Sequence, residues 1–540
     1  MFRENVKKVL AFGVALIMIA LVVTGCGGND TGSGNDNAGG TNDAGSGETT
    51  GGGAEGGSGR NQVTVALTAN PIALDVHLSN DNPSTVVSKQ IFETLVIQDE
   101  NLQHHPGLAT DWRQIDEYTW EFDLRSGVIF HNGDEMTADD VVFSLRRGSD
   151  EATKPLVSPI LGMIDGDSVE AIDRYTVRIG TLMPFAPLPN HLAHTAAAIM
   201  SERAIEEATD SRREPVGTGP FRFVSWLNED YIELARFDDY HGELPQFETL
   251  MLRIITEPSS RVVELETGSV DVIMGVGTMD FARVEEDANL TLLTVPGLQT
   301  NYVGLNTNHE HLGNRLVRQA MNYAVNVEDI RTALAFGHGD IARGPITSNV
   351  FGFNPDLVGY PFNLERAQEL MREAGLEDGF DMTLYISSNQ ANIDLAQAVQ
   401  AQLAAININV GLNPLEWGTF IDAVSADGGV DAFMMGWGSI TGDADYGIFP
   451  LFHTMQHGEA GNRTFFTDDR VDYLLEAARA TIDPDERLAM YFEIQEIIVE
   501  EAPWIFLLQP LQSLGTRAEV RGLNVDPTNA PSFAGIYFAE

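Results

Sequence analysis

The segment Tyr118-Thr119-Trp120-Glu121-Phe122-Asp123-Leu124-Arg125 has the most regular pattern in the chain. Its apolar side chains alternate with polar ones, which is typical of a strand with one buried face. Asn132-Gly133 follows as a turn signal. Thr137, with Asp140 three residues later, matches a helix capping box. The sequence here therefore predicts a strand, a turn and then a helix.

The chain on either side of this segment alternates between strand and helix patterns. Gln62–Leu67 predicts an opening strand, and residues 382–386 and 407–412 predict strands in the second half with a helix pattern between them. Strands that alternate with helices indicate an α/β fold with a substantially parallel sheet. About 480 residues follow the amino-terminal region, so two or three folding units are expected.

The amino terminus predicts export and a membrane anchor. Basic residues precede an apolar run at 9–23, which is typical of a secretory signal. Val23-Thr24-Gly25-Cys26 resembles a bacterial lipobox, and Cys26 is the only cysteine in the chain. We therefore predict a lipoprotein signal peptide at 1–25 and lipidation of Cys26. Residues 27–60 contain no apolar side chain larger than Ala, so 26–60 is predicted to be the lipidated Cys and a disordered Gly-rich tether.

Composition and motifs exclude several classes of function. The net charge is −47, from 79 acidic and 32 basic residues. Nucleic acid is therefore a poor partner, because binding to phosphates needs basic patches. The sequence has no serine-nucleophile elbow, no His-Glu-x-x-His motif and no Walker loop. We expect a protein that is not an enzyme and needs no cofactor.

Several short motifs occur in an order that marks a known family. They lie at 108–112, 118–125, 127–133, 137–141, 217–221, 264–271, 301–307 and 317–324. The body at 61–540 resembles the bacterial extracellular solute-binding protein family 5, the dipeptide-, oligopeptide-, glutathione- and nickel-binding lipoproteins of ABC importers. The loop at 436–446, running on to Phe452, resembles the glutathione-binding branch in particular.

This resemblance implies an α/β, two-lobed periplasmic-binding-protein type II fold with an inserted subdomain in lobe I. Lobe I would comprise 61–305 plus 508–540, with the subdomain near 100–215, and lobe II would comprise 306–507. Ligand would bind in the cleft between the lobes, which would close about a hinge.

The resemblance also implies an extracytoplasmic monomer, lipid-anchored to the cell membrane. It would capture short peptides, glutathione among the candidates, and deliver them to an ABC permease. The ATPase subunits would be separate chains, because this sequence has no nucleotide-binding motif.

A peptide ligand needs partners for its amine, its carboxylate and its amide groups. Relatives in this family hold the amine with an Asp in the loop that follows a tryptophan. Asp443 and Asp445 both fit that description, and we favour Asp443. Arg463 is the candidate for the ligand carboxylate. The remaining candidates for ligand contact are Asn70, Tyr302, Trp417 and Trp437.

A nickel or metal-chelate ligand is the alternative, because the resembled family includes nickel binders. The histidine pairs are His104–His105, His191–His194 and His453–His457. Two imidazoles supply only half of a typical site, and no second cysteine is present to help. The sequence therefore predicts no protein-bound metal, although a metal carried on an organic chelator remains open.

Overall fold

The computed structural model describes residues 60–539 apart from Lys154 and Asp427. The predicted signal peptide, Cys26 and almost all of the predicted tether lie outside this part of the chain. The described residues all belong to one compact unit. Within the described residues, no helix combines the length and the apolar character needed to cross a bilayer.

Strands and helices alternate along the described chain. The strands are β1 (Gln62–Leu67), β2 (Val96–Gln98), β3 (His104–Pro106), β4 (Ala109–Asp116), β5 (Thr119–Leu124), β6 (Glu170–Asp173), β7 (Thr176–Gly180), β8 (Phe221–Leu227), β9 (Tyr231–Arg236), β10 (Thr249–Ile254), β11 (Val272–Met274), β12 (Leu290–Pro296), β13 (Gln299–Leu305), β14 (Asp340–Ile341), β15 (Phe380–Ser387), β16 (Ile408–Leu415), β17 (Ala432–Gly438), β18 (Trp504–Phe506), β19 (Leu508–Gln509), β20 (Leu511–Arg517), β21 (Val520–Arg521) and β22 (Tyr537–Phe538).

The helices are α1 (Asn82–Ile91), α2 (Ala138–Ser149), α3 (Ser158–Leu161), α4 (Leu188–Leu192), α5 (Glu202–Glu207), α6 (Pro258–Glu266), α7 (Phe281–Glu286), α8 (Arg315–Ala324), α9 (Val327–Leu334), α10 (Leu364–Glu373), α11 (Gln390–Leu403), α12 (Trp417–Ser425), α13 (Ala444–Phe452), α14 (Asp469–Ala480) and α15 (Pro484–Glu501).

A seven-stranded sheet forms the centre of what we call the first lobe. Its strand order is β12-β20-β11-β1-β10-β9-β8. β1 pairs in parallel with β10 and β11, and the remaining pairs are antiparallel. β20 comes from the end of the chain and lies between β11 and β12, so the carboxyl-terminal segment completes the sheet that β1 begins.

A four-stranded antiparallel sheet, in the order β4-β5-β7-β6, is inserted between α1 and β8 of the first lobe. The predicted strand is confirmed at 119–124, where Phe122 is fully buried. Tyr118 precedes the strand and is exposed. Glu121 is buried although the alternation predicts a solvent-facing side chain. It is tolerated there because Arg113 and Arg178 both pair with its carboxylate.

The predicted start of α2 is confirmed. The Thr137 N–H donates to the Asp140 carboxylate at 2.9 Å, and the reciprocal contact completes the capping box. Val141 and Leu145 on the buried face of α2 join the apolar core of the inserted subdomain. The start of α2 could be predicted from the sequence because capping and hydrophobic periodicity depend on residues that are close in the chain.

A five-stranded sheet, in the order β16-β15-β17-β13-β18, forms the centre of the second lobe. β15 is parallel to β16 and β17, as the alternating pattern predicts. β13 is antiparallel to both β17 and β18, so the sheet is mixed.

The chain crosses between the two lobes earlier than the predicted boundary at 305. β12 ends at Pro296 in the first sheet, and β13 begins at Gln299 in the second. β13 belongs to the second lobe because its backbone pairs with β17 along its whole length. The predicted boundary at 305 therefore falls at the end of a second-lobe strand. The chain returns to the first lobe between Phe506 and Leu511.

Candidate ligand cavity

A cavity of about 670 Å³ lies where the first lobe, the inserted subdomain and the second lobe meet. α1 and residues 522–535 of the first lobe form one wall, and residues 193–196 of the subdomain form another. Ile440 and Tyr446 close the cavity from the second lobe. Cavities for small ligands typically enclose about 300–1,000 Å³, so this volume suits a short peptide.

α1 supplies polar side chains to the cavity. The helix begins where it does because the Asp81 carboxylate accepts a hydrogen bond from the Ser84 N–H at 3.0 Å, and Pro83 fits the first turn. Lys89 lies in the last turn of α1 and forms an ion pair with Asp526 at 2.6 Å. This pair joins α1 to the carboxyl-terminal segment at the cavity wall.

Glu93 follows α1 and presents a carboxylate to the cavity. Its Oε2 accepts from the Thr218 hydroxyl at 2.8 Å, and its Oε1 accepts from the Tyr240 hydroxyl at 3.1 Å. The His241 Nε2 lies 2.9 Å from Oε2. Burial and the Glu93 charge both raise the pKa of Tyr240, which keeps that hydroxyl protonated as a donor.

The turn that carries Thr218 approaches α1 closely, and this explains its two glycines. A Cβ on Gly217 would lie 2.1 Å from the Ile91 carbonyl oxygen, and one on Gly219 would lie 2.7 Å from the same atom. His131 holds the turn from the other side. Its Nδ1 accepts from the Gly217 N–H at 3.4 Å, and its Nε2 donates to the Gly219 carbonyl at 2.9 Å.

His194 lines the cavity as a neutral imidazole. Its Nδ1 accepts from the Ala196 N–H at 3.1 Å, which leaves the ring proton on Nε2. Burial lowers the pKa of His194 to about 4, and the charges of His191 and Lys89 act in the same direction. Its Nε2 makes no hydrogen bond to any residue that the structure describes, so this N–H is available to a ligand.

The loop after β17 brings the second lobe to the cavity. The Trp437 indole N–H donates to the Tyr446 carbonyl at 3.0 Å, and the two rings stack with centroids 5.4 Å apart. The Gln98 side-chain amide donates to the Thr441 carbonyl at 2.9 Å, which ties the loop to β2. Ile440 and Tyr446 line the cavity, whereas Trp437 supports Tyr446 without lining it.

Asp443 is buried and paired with an arginine. Both of its carboxylate oxygens accept from the Arg487 Nη2, at 2.9 and 3.0 Å. Its Oδ1 also accepts from the Asp445 N–H at 2.9 Å and so caps α13. Burial works against the charged guanidinium, but Asp443 together with Tyr491 and Asp445 outweighs it and raises the pKa of Arg487.

Asp445 is also buried and holds a second arginine. Arg479 donates to it twice, from Nε at 2.6 Å and from Nη2 at 3.1 Å. The same guanidinium lies 3.2 Å from the centre of the Phe449 ring. The His191 Nε2 is 4.0 Å from the Asp445 Oδ2. Neither Asp443 nor Asp445 lines the cavity.

Tyr302 and Arg463 lie near each other in the second lobe. Tyr302 is 1% exposed and stacks on Trp504 with ring centroids 3.5 Å apart. Burial raises the pKa of Tyr302, with the Arg463 charge opposing this. The Arg463 Nε donates to the Ser425 hydroxyl at 2.9 Å. No carboxylate in the described part of the chain pairs with Arg463, so its guanidinium keeps free donors.

Asn70 and Trp417 lie away from the cavity. The Asn70 Oδ1 accepts from the Trp226 indole at 3.3 Å and from the Glu229 N–H at 3.2 Å, which ties the loop after β1 to the β8–β9 hairpin. Trp417 begins α12 and is 56% exposed. None of the seven predicted ligand residues lines the cavity, and a ligand contact for each of them stays a prediction.

The side chains that line the cavity are not among the ligand residues predicted from the sequence. Those with the clearest chemistry are Lys89, Glu93, His194, Ile440 and Tyr446. Only the 217–220 turn and the 436–446 loop gave a signal near them. Glu93 meets Thr218 across 125 residues of sequence, and Lys89 meets Asp526 across 437, so no local pattern marks either residue.

Comparison with known proteins places the chain in a family. The profile described as "Bacterial extracellular solute-binding proteins, family 5 Middle" matches residues 103–459. The chain belongs to this family. Among curated relatives, the glutathione-binding protein GsiB of Pectobacterium atrosepticum is 30% identical over 495 residues, covering 87% of this chain and 96% of that protein.

Solved structures agree with the family assignment. DppA from Helicobacter pylori, in complex with the peptide STSA, has a TM-score of 0.77 and 28% identity, covering 89% of this chain and 98% of that chain. HbpA2 from Haemophilus parasuis has a TM-score of 0.79 and 29% identity, covering 89% of this chain and 100% of that chain. The family and the two-lobed fold predicted from the resemblance are therefore confirmed.

The histidine pairs of this family 5 protein are engaged in local hydrogen bonds. The His453 Nδ1 accepts from the Met455 N–H at 3.0 Å, and the His457 Nε2 donates to the Phe466 carbonyl at 3.0 Å. In the described ranges, no three His, Cys, Asp or Glu side chains group as a metal-ligand set. A metal carried on an organic chelator stays the alternative ligand.

Proposed function

We propose that this protein is the substrate-binding component of an ABC importer and captures short peptides in the cavity of about 670 Å³. Membership of solute-binding protein family 5 carries the proposal. The similar DppA structure holds a peptide, and the curated relative is named for glutathione, which makes glutathione one candidate ligand.

The cavity offers partners for the main groups of a peptide. The Glu93 carboxylate suits a ligand amine, because a buried ammonium group needs an anionic partner. The His194 Nε2–H suits a peptide carbonyl, since it has no partner in the described chain. Ile440 and Tyr446 supply an apolar wall for a side chain.

We propose that ligand binding stabilises closure of the two lobes. The first lobe, with its inserted subdomain, would move against the second about the crossings at 296–299 and 506–511. Hydrogen bonds that join the first lobe and its subdomain to the second lobe in the described chain include Ala186 N–H to the Arg479 carbonyl at 2.7 Å and the Asn190 amide to the Thr441 carbonyl at 3.3 Å, beside the Gln98–Thr441 bond. An open form would lack these bonds, and a ligand that contacts both lobes favours the closed form.

We also propose that the predicted lipid anchor holds the protein at the membrane. The mature protein would be held outside the cytoplasm by lipid on Cys26, with residues 27–60 as a flexible tether. The closed, loaded form would dock on a membrane permease whose ATPase subunits are separate chains.

Replacing Cys26 with serine should release the protein from the membrane. The lipid is attached through the Cys26 sulfur, and the serine hydroxyl is not a substrate for that modification. Cell fractionation should find the unaltered protein with membranes and Cys26→Ser in a soluble fraction or retained as an uncleaved precursor of higher mass. Processed Cys26→Ser that stayed on the membrane would contradict the anchor.

Titration calorimetry on the purified protein tests the function itself. Glutathione should be added first, then mixed di-, tri- and pentapeptides, with nickel as a control. Micromolar or tighter binding of any peptide supports the proposal. Heat from nickel alone, with no response to peptides, would replace it with the metal alternative.

A further inference from the structure

The cavity carries an excess of negative charge. Its charged lining residues are Lys89, Glu93, Asp99, Glu100 and Asp526. Lys89 is the one cation among the described lining residues, and Asp526 already pairs with it at 2.6 Å. A ligand carboxylate entering this cavity therefore meets no unpaired cation, whereas a ligand ammonium or guanidinium group meets Glu93 and Glu100, and also Asp99, which contacts His105 at 2.9 Å.

Glu93 is the most enclosed of these carboxylates. Its side chain is only 16% exposed, and its oxygens are held by Thr218, Tyr240 and His241. No lysine or arginine pairs with it in the described structure. A charge in such a position is screened less by solvent and salt than one on the surface, so it acts more strongly on a ligand.

His194 does not offset this charge near neutral pH. Its Nδ1 is occupied as an acceptor by the Ala196 N–H, so a proton added there would lose that bond. Burial lowers the pKa of His194 to about 4, and the ring is therefore neutral when the carboxylates are charged. It offers a ligand one hydrogen-bond donor and no positive charge.

We propose that this cavity selects peptides that carry a basic side chain over acidic peptides, glutathione included. The inference rests on the proposed function, because it assumes that peptides bind here. An acidic ligand would be desolvated beside like charges, which costs free energy, whereas a basic ligand would exchange water for carboxylate partners. Glutathione has two carboxylates and one amine, so it belongs to the disfavoured class.

Matched tripeptides test this preference. Titration calorimetry should compare Ala-Lys-Ala, Ala-Gln-Ala and Ala-Glu-Ala, which differ only in the charge of the central side chain. We expect Ala-Lys-Ala to bind at least roughly tenfold more tightly than Ala-Glu-Ala, with Ala-Gln-Ala between them. Glutathione should bind no more tightly than Ala-Glu-Ala.

One substitution should shift the preference from inside the cavity. Asp526→Asn removes a lining carboxylate and frees Lys89, while its Oδ1 can still accept from the Thr528 hydroxyl and N–H. We expect the ratio of the Ala-Lys-Ala affinity to the Ala-Glu-Ala affinity to fall several-fold. Lys89→Met removes the one cation among the described lining residues and should raise the ratio of the Ala-Lys-Ala affinity to the Ala-Glu-Ala affinity. This opposite change keeps the test decisive if Asp526→Asn folds poorly.

Asp378→Asn is the matched control. Asp378 is exposed on the second lobe and does not line the cavity, so the substitution changes the net charge equally without changing the site. It should leave the preference intact. If Asp378→Asn reduced the ratio as much as Asp526→Asn, the preference would belong to the whole acidic surface, and the inference would be overturned.

The remaining outcomes separate the two proposals. Binding of Ala-Glu-Ala or glutathione as tight as that of Ala-Lys-Ala would overturn the charge preference and leave peptide capture standing. No binding of any peptide, whatever its charge, would overturn the proposed function itself.

Discussion

Replacing Arg487 with methionine should destabilise the protein by about 3–5 kcal/mol. Arg487 is 6% exposed and its partner Asp443 is 1% exposed. Removing the guanidinium leaves the Asp443 carboxylate without its charged partner in a site that water does not reach. Methionine can replace the aliphatic stem of the arginine, so the loss reports mainly on the unpaired charge. Denaturant unfolding of the ligand-free protein near neutral pH would measure it.

Arg470→Met is the matched control. Arg470 pairs with Glu493 at 2.7 Å, but the two side chains are 51% and 43% exposed. An exposed pair of this kind contributes less than about 1 kcal/mol, because water solvates both charges when the pair is broken. Equal losses in the Arg470 and Arg487 variants would contradict the argument from burial.

A double variant separates the structural role of Asp443 from its predicted contact with a ligand amine. Asp443→Asn keeps an oxygen that can accept from the Asp445 N–H, and combined with Arg487→Met it leaves no buried charge at the pair. We expect the double variant to recover most of the lost stability. If it then binds peptides as the unaltered protein does, Asp443 makes no amine contact. Weaker peptide binding by a stable double variant would support the predicted contact.

The sequence predicted those elements whose partners are close in the chain. β5 and the start of α2 follow from alternation and from a capping box, both of which depend on neighbouring residues. The resemblance of the short motifs to the family extended the prediction from single elements to the two-lobed fold. The predicted boundary between the lobes lies after β13 and not before it, because the partners of β13 are β17 and β18, which lie far along the sequence.

The site was harder to predict because ion pairs between residues far apart in sequence decide which carboxylates are available to a ligand. Asp443 and Asp445 lie in a Gly-rich loop, where a solvent-facing or ligand-facing carboxylate is expected. Their partners Arg487 and Arg479 lie 44 and 34 residues later, on α15 and α14. No pattern in the loop sequence indicates that these helices pack against it. In the described structure, by contrast, no arginine pairs with Glu93 in the acidic wall of the cavity.

Lowering the pH from 7 to 5 should remove stability on the order of 6 kcal/mol. Three histidines, of which His77 is fully buried and His131 and His194 are half-buried, account for this. Burial lowers the pKa of His77, His131 and His194 to about 4 in each case. An unfolded histidine has a pKa near 6.5, so each of the three contributes about 2 kcal/mol of the loss by pH 5.

The hydrogen bonds of the three rings explain why they resist protonation. In each ring the Nδ1 acts as an acceptor: from the Arg147 guanidinium at 2.7 Å in His77, from the Gly217 N–H in His131, and from the Ala196 N–H in His194. A second ring proton would point at another donor in every case. The Arg147 charge lowers the pKa of His77 further, although Asp75 beside it partly offsets this.

The direction of the effect follows from proton binding. Between about pH 4 and 6.5 the unfolded chain binds protons that the folded rings exclude, so stability falls as the pH drops through this window. Well above pH 6.5 both states are neutral at these sites, and the contribution is constant. Unfolding free energies measured by denaturant at pH 7, 6 and 5 should therefore decline progressively.

His194→Asn tests whether the His194 ring contributes its expected share of the stability lost on acidification. The asparagine Oδ1 can accept from the Ala196 N–H in place of Nδ1, and the side chain cannot gain a proton. The variant should lose about 2 kcal/mol less than the unaltered protein between pH 7 and 5. If His194→Asn kept the full decline, the acid sensitivity would have to arise at other groups, because removing a titrating site must remove its share of the linkage.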